Sequence, residues 1–260
     1  MSAAAWLRRA LSHPLARDRD LDDPSTTALR RRIIAEKAPL ADIYREWHAW
    51  LNRQLPSGGG RVLELGSGAG FMRDAIPRLI ASDIFLVPEI DVVLDAQRLP
   101  FADESLRAIV MTNVLHHVPD VRLFFCEARR CVRPGGVVAM VEPWMTPWSS
   151  FVYRRLHHEP FAPDASDWTV GGVGPLSDAN GALPWMVFER DRHQFEREFP
   201  EWRIASIAPQ MPLRYLLSGG VSLRLLSPSW TFSMWNGLER ILMRWPRRFA
   251  MFAGIALVKQ

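Results

Sequence analysis

Residues 62–71 read VLELGSGAGF, and the reading of these ten residues decides the fold. Glycines alternate at Gly66, Gly68 and Gly70 behind a β-rich run, which predicts a tight strand-to-helix turn where a ligand can approach the backbone. A dinucleotide turn of the form G-x-G-x-x-G would need glycine where Phe71 stands, and no Gly-Lys-Ser/Thr follows for a triphosphate. Glu64, two residues before the first glycine, adds a carboxylate at the strand end. That charge opposes a phosphate and suits a ligand carrying ammonium or sulfonium charge.

Working outward, strands and helices alternate, the pattern of a parallel sheet covered on both faces. Strands are predicted at 61–65, 79–83, 91–95, 107–112 and 136–142. Between them come a short helix after Gly70, a loop over 84–90 in place of a full helix, and a helix near 120–132 that stops at Arg133-Pro134-Gly135-Gly136. Upstream, apolar residues Ile34, Leu40, Ile43, Trp47 and Leu51 recur near a 3.6 period, predicting two helices over 26–55 broken at Pro39. Residues 1–25 read as a loose leader. Residues 143–184 are too long for an ordinary connection, and 146–184 reads as a lid or substrate insertion. A helix over 186–199, a strand over 202–208, a second insertion over 211–248 and a final strand over 249–259 complete a single domain over 1–260.

Acidic residues fall where a phosphate-free adenosine ligand needs them. Asp83 closes the second strand and can accept from two ribose hydroxyls. Asp95 closes the third strand and offers an acceptor to an adenine amino group, while Ala96 offers a backbone N–H. Asn113 follows the fourth strand. Ligands in open α/β sheets bind outside the carboxyl ends of the strands, so these residues should converge. S-adenosylmethionine (SAM) carries both cationic groups and no phosphate.

VLELGSGAG, SD at 82–83, DAQRLPF at 95–101, VLHHVPD at 114–120 and CVRPGG at 131–136 together resemble class I SAM-dependent methyltransferases, in particular the small-molecule branch of ubiquinone and menaquinone biosynthesis. The resemblance covers residues 58–145, the SAM-binding core. It implies a Rossmann-like α/β sandwich with a seven-stranded, mostly parallel sheet whose last strand is antiparallel. It also implies a cofactor site of Glu64, Gly66, Ser67, Gly68, Gly70, Asp83, Asp95, Ala96 and Asn113. The competing reading is a catalytically inactive SAM-binding regulatory or scaffold protein.

Bulk properties exclude several classes. The chain has 260 residues, 48% of them hydrophobic, enough for a core without staples. Cys126 and Cys131 are too few and too closely spaced for a disulfide framework. The apolar run at 249–258 is about half of the roughly 20 residues a spanning helix needs, and no export signal is visible, which reads as a cytoplasmic chain. Net charge is +4, with Lys37 and Lys259 as the only lysines, and the mixed signs argue against nucleic acid.

The acceptor must be inferred from the insertions and the histidines. His117, in the His116-His117 pair beside Asn113, and His158, in His157-His158-Glu159, are the candidate bases. No metal site is expected, because adjacent residues rarely chelate one ion well. Trp144, Trp148, Phe151, Tyr153, Phe161, Trp168 and Trp185 predict an aromatic lining for an apolar acceptor. In 211–248, six arginines face one acid, and Trp235, Leu238, Leu242 and Trp245 share a predicted helix face. A basic helix with an apolar side can lie on an anionic membrane. The expected partner is a small, lipid-like acceptor reached with peripheral membrane contact through this segment.

Overall fold

The run RVLEL forms β1 (Arg61–Leu65), with its last four residues buried. It is followed by β2 (Leu79–Asp83), β3 (Val92–Val93), β4 (Leu106–Thr112), β5 (Val132–Pro143), β6 (Trp202–Gln210) and β7 (Phe252–Lys259). The structure is a computed structural model and describes residues 11–260 except 18, 21, 69, 70, 158 and 173. Strand order is β3-β2-β1-β4-β5-β7-β6. The neighbouring pairs from β3 to β5 are parallel, and β7 runs antiparallel to both β5 and β6. The order reverses at β1, which pairs with β2 through Glu64↔Ala81 and with β4 through Glu64↔Val110. That switch point opens a crevice at the carboxyl ends of the strands.

Side-chain parity along the strands divides the core in two. Leu63, Leu65, Ile109 and Met111 face a cluster with Phe124, Phe125, Phe188 and Phe195. Val62, Ala108 and Val110 face the opposite cluster, with Ile43, Trp47, Tyr153 and Phe252. Ahead of β1 lie α1 (Pro24–Glu36) and α2 (Ala38–Gln54). Asp23 caps α1 by accepting from the Ser25 N–H at 2.8 Å, and the break falls at Lys37 because Pro39 occupies the first turn of α2. The Lys37 side chain is buried and donates to the carbonyls of Ser218, Gly220 and Leu223, which ties this junction to the second insertion.

Several elements differ from the sequence reading. The helix expected after Gly70 is a single 3-10 turn, Met72–Asp74. The third strand has two residues rather than five, and the exposed Asp91 just ahead of it accepts from the Ala81 N–H at 2.8 Å and from Arg73 at 2.7 Å. After β4, α3 (Val121–Cys131) is capped by Asp120 and gives way directly to β5 at Val132. The helix thus ends just before Arg133-Pro134-Gly135-Gly136, as expected, and those residues lie within β5, where the pairing with β4 shifts register. The first insertion holds α4 (Pro147–Leu156), closed by a Thr146–Ser149 capping box. The expected 186–199 helix is split into a π-helical segment, Met186–Arg190, and α5 (Arg192–Glu198).

The second insertion holds α6 (Arg214–Ser218), α7 (Phe232–Leu242) and α8 (Pro246–Phe249), so residues 249–251 precede the last strand. The described part of the leader is tied down. The Leu11 carbonyl accepts from Arg224, the His13 N–H donates to Ser222, and Asp22 accepts from the backbone N–H of Leu176 and Ser177.

Candidate cofactor and acceptor site

The turn after β1 is held by a short polar suture. The Ser67 N–H donates to the Ser82 carbonyl at 2.8 Å, the Ser82 hydroxyl to the Glu64 carbonyl at 2.6 Å, and the Ser67 hydroxyl to the Glu64 carboxylate at 2.8 Å. Gly66 has φ 64°, and a Cβ there would fall 2.5 Å from Val114 Cγ2. Gly68 donates its N–H to Asp83 Oδ2 at 3.0 Å. The other oxygen of Asp83 accepts from Phe85 at 3.1 Å, so each retains a lone pair for a further donor. Burial raises the Asp83 pKa, opposed by these N–H groups. Burial also pushes Glu64 up to about 7, against the Ser67 hydroxyl and the charge of Arg73.

This turn forms one end of a cavity of about 490 Å³. Glu64, Gly66, Ser67, Gly68, Asp83, Asp95, Ala96, Asn113 and His117 all line it, as the sequence reading expected. Gly70 and His158 lie outside the described residues. Asp95 is exposed and accepts from the Gln97 N–H at 2.8 Å, so it also caps its own turn. Asn113 takes φ 56°, and its buried Oδ1 has no hydrogen-bond partner among the described residues.

At the far end, the 3-10 turn Leu115–His117 meets Glu142 and Glu159. Glu142, wholly buried in β5, accepts from the N–H groups of Val114 and Leu115, each at 2.8 Å, and from His116 Nδ1 at 2.7 Å. His117 Nδ1 donates to the Asp178 carbonyl at 3.0 Å. Glu159 lies 3.5 Å from His116 Nε2 and 3.8 Å from His117 Nε2. Burial pulls His116 down, but Glu142 and Glu159 outweigh it and lift it to about 9. Burial and the neighbouring His116 charge hold His117 at about 4, so it is neutral at pH 7.

The aromatic lining is not the one read from sequence. Trp168 is 1% exposed, stacked under Arg122 at 4.5 Å and bonded to Asp191, and Trp144 is equally a core residue. Phe151 is half exposed and stacks on Trp148 at the surface. Of the seven aromatics only Tyr153 and Phe161 reach the cavity, where Tyr44, Tyr215 and Phe252 join them. Tyr44 and His48 were visible as an i, i+4 pair on α2, but nothing local tells which face of that helix meets a ligand.

A switch-point crevice bounded by a glycine turn, a buried strand-end aspartate and an unpartnered Asn113 oxygen defines a Rossmann-like domain built for a cationic, phosphate-free adenosine ligand. Residues 63–140 match the model of the methyltransferase domain family. The demethylmenaquinone methyltransferase of Roseiflexus sp. (strain RS-1) is 34% identical over 117 residues, covering 38% of this chain and 49% of that protein. The ubiquinone biosynthesis O-methyltransferase of Rhizobium etli is 29% identical over 101 residues, 32% of this chain and 41% of that one. The chain thus spans about half the length of the curated relatives it matches. In fold, a Haloferax volcanii chain solved with the Trm112 methyltransferase activator superposes with a TM-score of 0.54, at 16% identity over 92% of this chain and 97% of that one. Geranyl diphosphate C-methyltransferase from Streptomyces coelicolor A3(2) gives 0.50, at 14% identity over 89% and 84%.

The match over residues 63–140 and the order of the sheet make this core similar to the methyltransferase domain family. Three features of the site fit SAM as its cofactor: Asp83 for the ribose hydroxyls, Asn113 Oδ1 for an ammonium donor, and open backbone at Gly68.

Proposed function

We propose that this protein is a SAM-dependent methyltransferase acting at oxygen or carbon of a hydrophobic or lipid-linked small molecule. The observation that carries this reading is the single cavity running from the glycine turn to the His116–His117–Glu159 cluster, walled by Tyr153, Phe161, Tyr215 and Phe252. SAM supplies an electrophilic methyl on a sulfonium centre. The chain binds the donor at the Glu64–Gly68 end, seats an apolar acceptor against the aromatic wall, and presents His117 as the group that manages the acceptor's proton. The quinone-pathway relatives favour the same acceptor class.

The second insertion supports an acceptor drawn from a membrane. It provides Tyr215 and Val221 to the cavity wall, and on its outside Trp230, Met234, Leu238, Ile241 and Trp245 form an exposed stripe, Trp230 being 82% exposed. This stripe replaces the one read from sequence. Trp235 is half-buried and bonded to Ser227, and α7 ends at Leu242. Arg214 is also removed from the basic set by its pairing with Glu46 and Glu239, leaving Arg224, Arg240, Arg244, Arg247 and Arg248, all exposed. No helix of the described residues is long and apolar enough to cross a membrane.

The test is transfer of labelled methyl from SAM into a fractionated extract, with and without anionic vesicles. Label in the lipid-extractable fraction, with protein cosedimenting with vesicles, is expected. Label confined to the aqueous fraction would sink the lipid-like acceptor, and no transfer into any fraction would sink the enzyme reading.

A pH dependence follows from Glu64. Burial holds this carboxyl at about 7, and a cationic donor favours its ionised form. SAM affinity should therefore rise about tenfold between pH 6 and 8, with a proton released on binding, while E64Q flattens the profile. Without ligand the sign reverses for stability. The unfolded carboxyl ionises near 4.5 and the folded one near 7, so this group weakens the fold as pH rises between them. Calorimetric titration at three pH values in two buffers checks the affinity and the proton count.

A further inference from the structure

The sequence reading expects no metal site and takes His157-His158-Glu159 as a feature separate from His116-His117. The fold instead brings Glu159 from the first insertion onto the turn after β4. The three donor groups lie within 4.8 Å of one another. Adjacent histidines usually diverge, but here the 3-10 turn sets the two rings 4.2 Å apart, and each ring is fixed from behind.

That fixing determines which nitrogen carries the proton. The Asp178 carbonyl can only accept, so His117 Nδ1 is the N–H, and the Nε2 of the neutral ring is a lone pair. Glu142 likewise accepts from His116 Nδ1. His117 Nε2 and a Glu159 oxygen are then two acceptors facing each other at 3.8 Å, with His116 Nε2 3.5 Å from the same carboxylate.

We propose that His116 Nε2, His117 Nε2 and Glu159 form a binding site for a divalent transition-metal cation of the zinc class, open on the cavity side. Ligands each about 2.0–2.1 Å from Zn²⁺ lie roughly 3.4 Å apart at the tetrahedral angle, close to the contacts already present. Nδ1 bonded to a carboxylate or a backbone carbonyl is the outer arrangement that orients metal-binding histidines. Tyr153 and Phe161 line the same cavity, where an acceptor oxygen could bind as a further ligand and lose its proton to solvent more easily, the cation then taking over from His117 the management of the acceptor's proton. This acceptor role rests on the proposed methyl transfer, while cation binding does not.

The test uses Co²⁺ as an optical probe and Zn²⁺ as competitor on chelator-treated full-length protein. One equivalent of Co²⁺ should give visible bands of low-coordinate geometry, removed by Zn²⁺. In E159Q, which keeps the side-chain shape, and in H117A, Co²⁺ affinity should fall by more than the roughly 10–100-fold typical of losing an outer partner, with SAM affinity unchanged. Absence of one-equivalent binding in the wild type, or undiminished binding in both variants, overturns the proposal. Circular dichroism and melting of each variant separate loss of the site from loss of the fold. Cation binding without methyl transfer would leave the site standing and count against the proposed enzyme, and chelator-resistant transfer without cation binding would do the reverse.

Discussion

Replacing Glu142 with alanine is expected to cost about 3–5 kcal/mol of folding stability, the range for removing one partner of a buried charged pair. The side chain is 0% exposed and accepts three hydrogen bonds, two from the backbone of Val114 and Leu115 and one from His116. Alanine leaves all three donors without their acceptor, and an unpaired buried donor costs more than its bond contributed. Glutamine should cost less, because its carbonyl can still serve the Val114 and Leu115 N–H groups. Its amide, however, must face His116 Nδ1, donor against donor. The expected order of stability is therefore wild type, then E142Q, then E142A. Urea unfolding followed by tryptophan fluorescence at pH 7 measures it. A loss under about 1 kcal/mol for alanine would mean that the turn is held by its apolar contacts, chiefly Leu115 and Val118, and not by this carboxylate.

Glu142 also marks where sequence reading stops. Its place at the end of a strand was legible, since parity and strand length follow from VVAMVE. Its partners were not, because they lie 26 to 28 positions away in sequence and meet it only through the pairing of β4 with β5. The cofactor end was legible for the opposite reason. Glu64, Gly66, Gly68 and Asp83 each act within a few residues of a strand terminus, and parallel pairing of β1 with β2 brings those termini together in any fold of this class. Hence all the described residues assigned to the cofactor from sequence do line one cavity.

The acceptor end depends on longer reach. Aromatic content alone could not sort Trp168, whose indole N–H is bonded to Asp191, from Tyr153, whose ring faces the cavity. Both choices bury an aromatic, and only the path of the first insertion separates them. The same insertion explains why Glu159 read as the tail of a His-His-Glu run when its contacts include His116 and His117, more than forty positions earlier. The exposed stripe was legible in part: Leu238 and Trp245 belong to it, while Trp235 and Leu242 are half-buried, Trp235 through its bond to Ser227, a partner eight positions away.

Glycine 68 offers the largest expected effect on ligand affinity. In G68V, SAM binding should weaken at least about 100-fold, or about 2.7 kcal/mol. Its φ of 21° is one that side chains rarely adopt, and a Cβ there would sit 3.3 Å from Thr27 Cγ2 and 3.8 Å from Asp83 Oδ2. Valine adds two further carbons beyond that point. They must press on Thr27 of α1, on the carboxylate assigned to the ribose, or into the cavity itself, and each outcome disturbs the same bound ligand. D83A removes the acceptor but leaves the space, so its loss should be smaller, about 1–3 kcal/mol. The two changes share the Gly68–Asp83 hydrogen bond, and their double variant should lose less than the sum. G66A provides the contrast. Its Cβ would meet Val114 at 2.5 Å inside the fold, so its cost should appear first in the melting temperature. Calorimetry of SAM binding alongside thermal melts separates these cases. SAM affinity unchanged in both G68V and D83A would place the donor somewhere other than the turn after β1.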